Sequence, residues 1–329
     1  VGCLKWQRLR CRCNRSISIT AGQVTRGDLQ DSGLAAVIDG KAIAAEVRSE
    51  VRAKATDLKS LYGQIPGLAV VLVGNRPDSA SYVRSKTKAA EDVGCRVVNH
   101  KFAEDTSEAQ LLQCIGELNG NKEIHGILVQ LPLPSAIDER KVISAIDIRK
   151  DVDGLSPYNL GCLAQPGSQP FAVPCTPAGC MELLKRTGVD IAGKECLVLG
   201  RSSIVGMPMA LLLIRANATV KVCHSLSRAV ADACAEADIV IAALGQPRFV
   251  QGDWLKKGCV VLDIGINRVP DSSLKQGYRL VGDVDFESAR RRASMITPVP
   301  GGVGPMTVAM LLRNTVKLAS QALLAESPP

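Results

Sequence analysis

Short apolar runs return along this chain at intervals, each followed by a stretch whose apolar residues are spaced like one face of a helix. Leu68-Ala-Val-Val-Leu-Val73 contains no polar residue at all, and Glu195-Cys-Leu-Val-Leu-Gly200 has only its first. A strand that is apolar at every position is buried on both faces, as strands are in parallel sheets layered with helices. The pattern predicts a helix with Ile43, Val47, Val51 and Leu58 on one face, strand 68–73, and a helix capped by Asp78 or Ser79 and running to about Val93. Strand 95–101, helix 107–118, strand 124–131 and helix 138–146 follow. A Pro/Gly-rich stretch over 154–177 reads as an interdomain connection or an ordered lid. The alternation then resumes with strand 195–199, helix 204–215, strand 218–223, helix 228–236 and strands 238–243 and 259–264. A last amphipathic helix covers 306–323. Strands separated by helices on both sides of 154–177 predict an α/β protein, and 329 residues suit two domains.

Composition narrows the function classes. No apolar run approaches the ~20 residues of a membrane-spanning helix, so no membrane partner is expected. Aromatics make up 3% of the chain, too few for a stacking platform, so no nucleic-acid partner is expected either. The net charge of +8 is concentrated at the start, where residues 1–22 hold Lys5, Arg8, Arg10, Arg12 and Arg15 and no acidic residue. An acid-free, Arg-rich leader containing Ser and Thr has the character of a mitochondrial or plastid transit peptide, with a disordered basic tail as the alternative. We assign residues 1–30 to this leader and expect the mature protein in an organellar matrix or stroma. The twelve cysteines are scattered without a Cys-x-x-Cys pair, and the three histidines lack ligand spacing. Buried free thiols are expected, and no metal.

The strand 195–199 runs directly into Gly200-Arg-Ser-Ser-Ile-Val-Gly206 and then a helix. Glycine at such a turn lets backbone approach a phosphate, and the helix start offers free N–H groups. The spacing departs from Gly-x-Gly-x-x-Gly, so an ordinary strand–helix turn remains an alternative. The following strand ends Lys221-Val-Cys-His-Ser225 without the carboxylate that binds a ribose 2′-hydroxyl. Arg201 beside the first glycine and the Ser225 hydroxyl suit a 2′-phosphate instead, which favours NADP over NAD.

Tyr82-Val-Arg-Ser-Lys86 places a phenol and an amine on one helix face. Taken alone, Lys86 is most simply a solvated surface charge. Its position ahead of the nucleotide turn argues against the short-chain dehydrogenases, which share Tyr-x-x-x-Lys. Gln130 ends an apolar strand, where parallel sheets bind ligands, and Lys150-Asp-Val-Asp-Gly154 reads either as a site or as a capped turn.

Taken together, Tyr82-x-x-x-Lys86, Val129-Gln-Leu-Pro-Leu133, Lys150-Asp-Val-Asp-Gly154, Gly200-Arg-Ser202 and Pro298-Val-Pro-Gly-Gly-Val-Gly-Pro-Met-Thr307 resemble the methylenetetrahydrofolate dehydrogenase/cyclohydrolase family. The resemblance covers about residues 36–320. It implies two α/β domains flanking a cleft, the second a Rossmann-type NADP-binding domain, assembled as a homodimer. The folate-binding catalytic domain would be 31–176 with 303–329, and the NADP-binding domain 177–302. The implied activity is NADP-dependent oxidation of 5,10-methylenetetrahydrofolate, then hydrolysis of the methenyl product to 10-formyltetrahydrofolate. By motif, Lys86 would be the base and proton carrier, Tyr82 would stack on the aminobenzoyl ring, Gln130 would tune Lys86, and Asp153 would anchor the pterin. Val129, Leu131, Pro300, Gly301, Gly302, Val303 and Gly304 would complete the folate site. Gly200, Arg201, Ser202, Ser225 and Ile266 would hold NADP. A dehydrogenase without hydrolysis and a non-catalytic folate- or nucleotide-binding protein are the alternatives.

Overall fold

The structure, a computed structural model, describes residues 33–326, so the leader expected over 1–30 lies outside the described residues. The described chain begins with a two-residue strand, β1 (Ala36–Val37), and α1 (Gly40–Tyr62). The Asp39 carboxylate caps α1 by accepting the amides of Lys41 and Ala42, each at 3.0 Å. Gly63 ends the helix in the left-handed conformation. Next come β2 (Gly67–Val73), α2 (Pro77–Asp92), β3 (Arg96–Phe102), α3 (Glu108–Gly120), β4 (Gly126–Val129) and α4 (Glu139–Ser144). The strands form a parallel sheet in the order β3-β2-β4. Leu68, Val70 and Leu72 of β2 join the apolar cluster containing Val47 and Val51 of α1. Ala69, Val71 and Val73 join the one containing Leu111 and Ile115 of α3. Burial on both sides explains why this run has no polar position.

Two local expectations are corrected. The cap position of α2 is Arg76, which makes no side-chain cap bond, and the helix starts at Pro77, so the expected caps at 78 and 79 fall inside its first turn, where Ser79 is buried. Proline suits that first position because its φ is preset and no amide there needs a partner. The stretch 154–177 is more than a connection. It contains α5 (Pro157–Ala164), whose Asn159, Cys162 and Leu163 are buried, and the start of α6 (Cys175–Arg186).

The second sheet collects β5 (Glu195–Leu199), β6 (Thr219–Cys223), β7 (Ile239–Ala242), β8 (Val260–Asp263) and, beyond the hairpin β9 (Asn267–Pro270) and β10 (Tyr278–Val281), β11 (Met295–Ile296). The helices α7 (Gly206–Arg215), α8 (Val230–Glu236) and α9 (Phe286–Ala289) lie between them in sequence. The order β6-β5-β7-β8-β11-β1 is parallel throughout. Strand order reverses direction between β5 and β7, the switch point where doubly wound sheets take ligands. One domain boundary departs from expectation. Ala36 and Val37, assigned with 31–176, pair with Met295 and Ile296 at the edge of the second sheet.

The final helix, α10 (Val303–Glu326), returns across the molecule to pack on α1 and α6. Ion pairs bind these three helices together. Arg186 reaches Glu46 at 2.9 Å, Glu50 at 2.6 Å and Glu182 at 2.7 Å, and Arg313 reaches Glu182 at 2.9 Å. Hydrogen bonds from Arg313 and Arg186 hold the Glu182 carboxyl down at about 2. Every cysteine among the described residues is a buried free thiol.

Candidate active site

Three chain segments converge at the C-terminal end of the three-stranded sheet. The first is α2, which follows β2 through Gly74 and carries Tyr82 and Lys86 one turn apart, with Tyr82 exposed and Lys86 half-buried. The second is the exit from β4. The Gln130 amide donates to Val71 O at 2.9 Å, which continues the strand pairing one residue further and fixes the backbone beneath the side chain. Gln130 Nε2 donates to Leu131 O at 2.7 Å. That bond commits the amide's orientation, leaving Oε1 to accept from Lys86 Nζ at 3.0 Å. The Leu131–Pro132 peptide that follows is cis.

The third segment is the turn after Lys150. Its two aspartates behave differently. Asp151 is buried and accepts the amides of Gly154 at 3.0 Å and Ser156 at 2.8 Å, together with Asn159 Nδ2 at 2.9 Å. Asp153 faces the cleft. Burial raises its carboxyl above the usual range, opposed by the nearby Lys86 cation and reinforced by the Asp151 charge. The Cys175 thiol lies 3.7 Å from Asp153 Oδ1.

These residues share a cavity of about 340 Å³ lined by Tyr82, Lys86, Val129, Gln130, Leu131 and Asp153. The cavity also reaches Ile204 and Val205 of the glycine turn, so it spans the gap between the two sheets' domains. Sequence reasoning missed part of its wall. Cys175 and Thr176 at the start of α6 line it, as does Thr307 of α10, with the two threonine hydroxyls 3.0 Å apart. Thr307 closes the long proline–glycine motif, and Cys175-Thr-Pro177 stands at the end of the Pro-rich stretch; those were the available signals. Pro300–Gly304 do not line the cavity itself. They form the approach to α10 and its first two residues, with Val299–Pro300 cis and Gly301 at φ 114°. A Cβ on Gly302 would come within 2.6 Å of the Thr297 side chain, so that position requires glycine.

The residues expected to hold NADP lie around the switch point. Gly200 has φ 119°, and any Cβ there would collide with Ala243 O beyond β7. Only glycine lets these two loops meet. Ser202 Oγ accepts the amides of Val205 and Gly206 at 3.2 and 3.3 Å, which shapes the helix entrance. Leu199 and Cys223 are register partners, so Arg201 and Ser225 leave adjacent strands at the same level, both exposed. Ile266 is exposed on the loop after β8, its Cδ1 4.0 Å from the place a Cβ on Gly304 would occupy. That loop is set by two buried carboxylates. Asp263 accepts the amides of Gly265, Asp283 and Val284, and Asp283 accepts those of Leu244 and Gly245 and Asn267 Nδ2. Burial pushes Asp263 up to about 7. A glycine turn at a strand-order reversal, with an arginine and a serine each two residues past paired strand ends, suits a dinucleotide bearing a 2′-phosphate. Among the described residues no group of His, Cys, Asp and Glu could hold a metal ion.

Comparison with known proteins agrees with this geometry. The family described as "Tetrahydrofolate dehydrogenase/cyclohydrolase, catalytic domain" matches residues 38–153, and its "NAD(P)-binding domain" matches 174–323. The chain is 51% identical to "Bifunctional protein FolD 4, chloroplastic" of Arabidopsis thaliana over 94% of this chain and 86% of that one. It is also 51% identical to "Bifunctional protein FolD 1, mitochondrial" of the same plant, over 88% of this chain and 82% of that one. The fold superimposes on the Trypanosoma brucei N5,N10-methylenetetrahydrofolate dehydrogenase-cyclohydrolase complexed with NADP and an inhibitor. The TM-score there is 0.86 at 44% identity, covering 89% of this chain and 99% of that one.

Proposed function

The chain belongs to the tetrahydrofolate dehydrogenase/cyclohydrolase family, and from that premise we propose that its cleft performs two consecutive reactions with Lys86 as the acid–base group. The enzyme oxidises 5,10-methylenetetrahydrofolate to the methenyl form with NADP and hydrolyses that product to 10-formyltetrahydrofolate. Bound NADP supplies the hydride acceptor. Gly200, Arg201, Ser202, Ser225 and Ile266 hold it, with Arg201 and Ser225 on the 2′-phosphate.

The observation that carries this reading is the 3.0 Å contact between Lys86 Nζ and Gln130 Oε1 in a cavity shared by Asp153 and the nucleotide turn. Oxidation asks mainly for placement, because a nitrogen lone pair on the folate stabilises the cation left at the carbon. Tyr82 provides that placement by stacking on the aminobenzoyl ring. Asp153 anchors the pterin, its carboxyl a donor or acceptor for the ring's polar edge. Val129 and Leu131 enclose the substrate within the cavity, and Pro300–Gly304 contribute from beyond its lining.

Hydrolysis asks for a base. Lys86 takes a proton from the water that adds to the methenyl carbon. The resulting carbinolamine opens as its bond to N5 breaks, the hydroxyl proton passes to N5, and the proton held by Lys86 is the one released overall. Gln130 accepts a hydrogen from the amine at 3.0 Å without adding a charge, so it orients Lys86 for that proton transfer.

The test is one assay run with NADP and NAD in parallel. NADPH appearance from methylenetetrahydrofolate, then decay of the methenyl absorbance, is the expected course. Oxidation with persistent methenyl product would leave only a dehydrogenase, and no turnover would leave a binding protein.

The domain boundaries read from the sequence, shifted only for residues 36–37, and a homodimeric assembly complete the proposal. Light scattering of the purified protein tests the dimer. The acid-free basic leader and the chloroplastic and mitochondrial names of the two plant relatives support residence in an organelle. Mass spectrometry of native protein from fractionated cells tests this, and an intact leader in the cytosolic fraction would refute it.

A further inference from the structure

The buried amide of Asn314 lies outside the cavity lining, yet it touches two of the segments that build the cavity. Asn314 Nδ2 donates to Val152 O at 2.9 Å and to Val173 O at 2.9 Å, with Cys175 Sγ at 3.7 Å. The first carbonyl immediately precedes Asp153, and the second lies two residues before Cys175. Both hydrogens of the amide are therefore used to tie the Asp153 turn to the entrance of α6, beside the weaker contact of the Cys175 thiol with Val152 O at 3.4 Å. Asn314 and Thr307 are seven residues apart on α10, two helical turns, and so share one face. Thr307 makes the second tie, to Thr176. Within its own turn Asp151 fixes the backbone after Asp153 through Gly154 and Ser156, while Asn314 fixes the backbone before it.

We propose that Asn314 is a positioning residue for folate binding: from the final helix it sets where Asp153 stands relative to the Cys175–Thr176 wall of the cavity. This rests on the proposed role of Asp153 as pterin anchor. Removing the donor leaves Val173 O without this partner and Val152 O with only the weak Cys175 thiol at 3.4 Å, so the turn is held to α6 through Cys175 alone. Displacement of the anchor weakens folate contacts and leaves the nucleotide turn, on the other domain, untouched.

The test compares Asn314→Leu and the smaller, single-donor Asn314→Ser with Thr315→Val. Thr315 is also buried on α10, but its hydroxyl bonds only to Leu311 O of the same helix, at 2.9 Å. The expected result is a KM for methylenetetrahydrofolate raised about tenfold in Asn314→Leu and less in Asn314→Ser, with KM for NADP unchanged. Thr315→Val should lower Tm and leave both KM values alone. If both Asn314 variants keep the wild-type folate KM, or if both KM values rise together, the proposal is wrong. If Asn314→Leu does not fold, an unchanged folate KM in Asn314→Ser overturns it equally. Failure of the pterin-anchor role shows separately, as an Asp153→Asn enzyme with normal folate KM.

Discussion

Replacing Gln130 by Glu tests the division of labour between the two reactions most directly, because it changes one atom type and adds one charge. Oε1 already sits 3.0 Å from Lys86 Nζ, so the variant places a carboxylate oxygen where a neutral carbonyl oxygen now accepts. An opposite charge within 4–6 Å typically favours the charged form of its partner by ~1–3 pH units. The second carboxylate oxygen would face Leu131 O, to which Nε2 now donates at 2.7 Å, and that repulsion costs the variant part of its fit. The cyclohydrolase pH–rate profile should therefore move to higher pH by about 1–3 units. Near neutral pH, hydrolysis should fall roughly 10- to 1,000-fold and recover as the pH is raised. NADPH formation should fall far less, because hydride transfer draws on placement rather than proton transfer. The assay is the two-wavelength measurement of both reactions across pH, with Gln130→Leu as the uncharged companion. A profile that loses amplitude without moving would refute the reasoning, leaving Gln130 as a contact for substrate rather than the partner that sets the state of Lys86.

Other predictions follow from single observations. Lys86→Met should cut hydrolysis by the ~10²–10⁴-fold that a positioned acid–base contributes while sparing part of the oxidation, so that methenyltetrahydrofolate accumulates; loss of neither activity would return Lys86 to a surface charge. Arg201→Ala should weaken NADP binding roughly ten- to hundredfold and NAD binding little, measured by titration; equal losses would assign Arg201 to the pyrophosphate or the fold. Glu182 is held at about 2 by Arg313 and Arg186, so its contribution to stability is complete above the ordinary carboxylate range and is lost as pH falls through about 2. Acid unfolding of Glu182→Gln should accordingly lack that dependence, with stability at neutral pH lower by roughly 1–2 kcal/mol once solvent screening of the partly exposed arginines is allowed for.

How much of this was legible beforehand depends on the range over which each signal acts. Leu68–Val73 and Glu195–Leu199 announce themselves as buried strands because burial on both faces admits no polar residue, a condition written into consecutive positions. Helix starts depend on one or two residues and are less secure. At α2 the proline at 77 took the first position, so positions 78 and 79 fall inside the helix rather than at its cap. The proposed reactive set Tyr82, Lys86, Gln130 and Asp153 was legible by motif, and the four residues line one cavity.

Asp151 and Asp153 show where local information ends. They are the same residue two positions apart, yet one is consumed by three N–H donors inside the turn and the other faces the cleft. No propensity separates them, since the difference lies in which side of the backbone the rest of the protein covers. The pairing of Ala36–Val37 with Met295–Ile296 and the reach of Asn314 to Val152 likewise join residues far apart in the chain. Strand and helix periodicity, the glycine turn and the motif residues are properties of neighbouring positions, and the sequence alone determined them. Which aspartate faces the cleft, which sheet gains β1 and which final-helix side chain reaches the Asp153 turn depended on contacts that exist only after the chain has closed on itself.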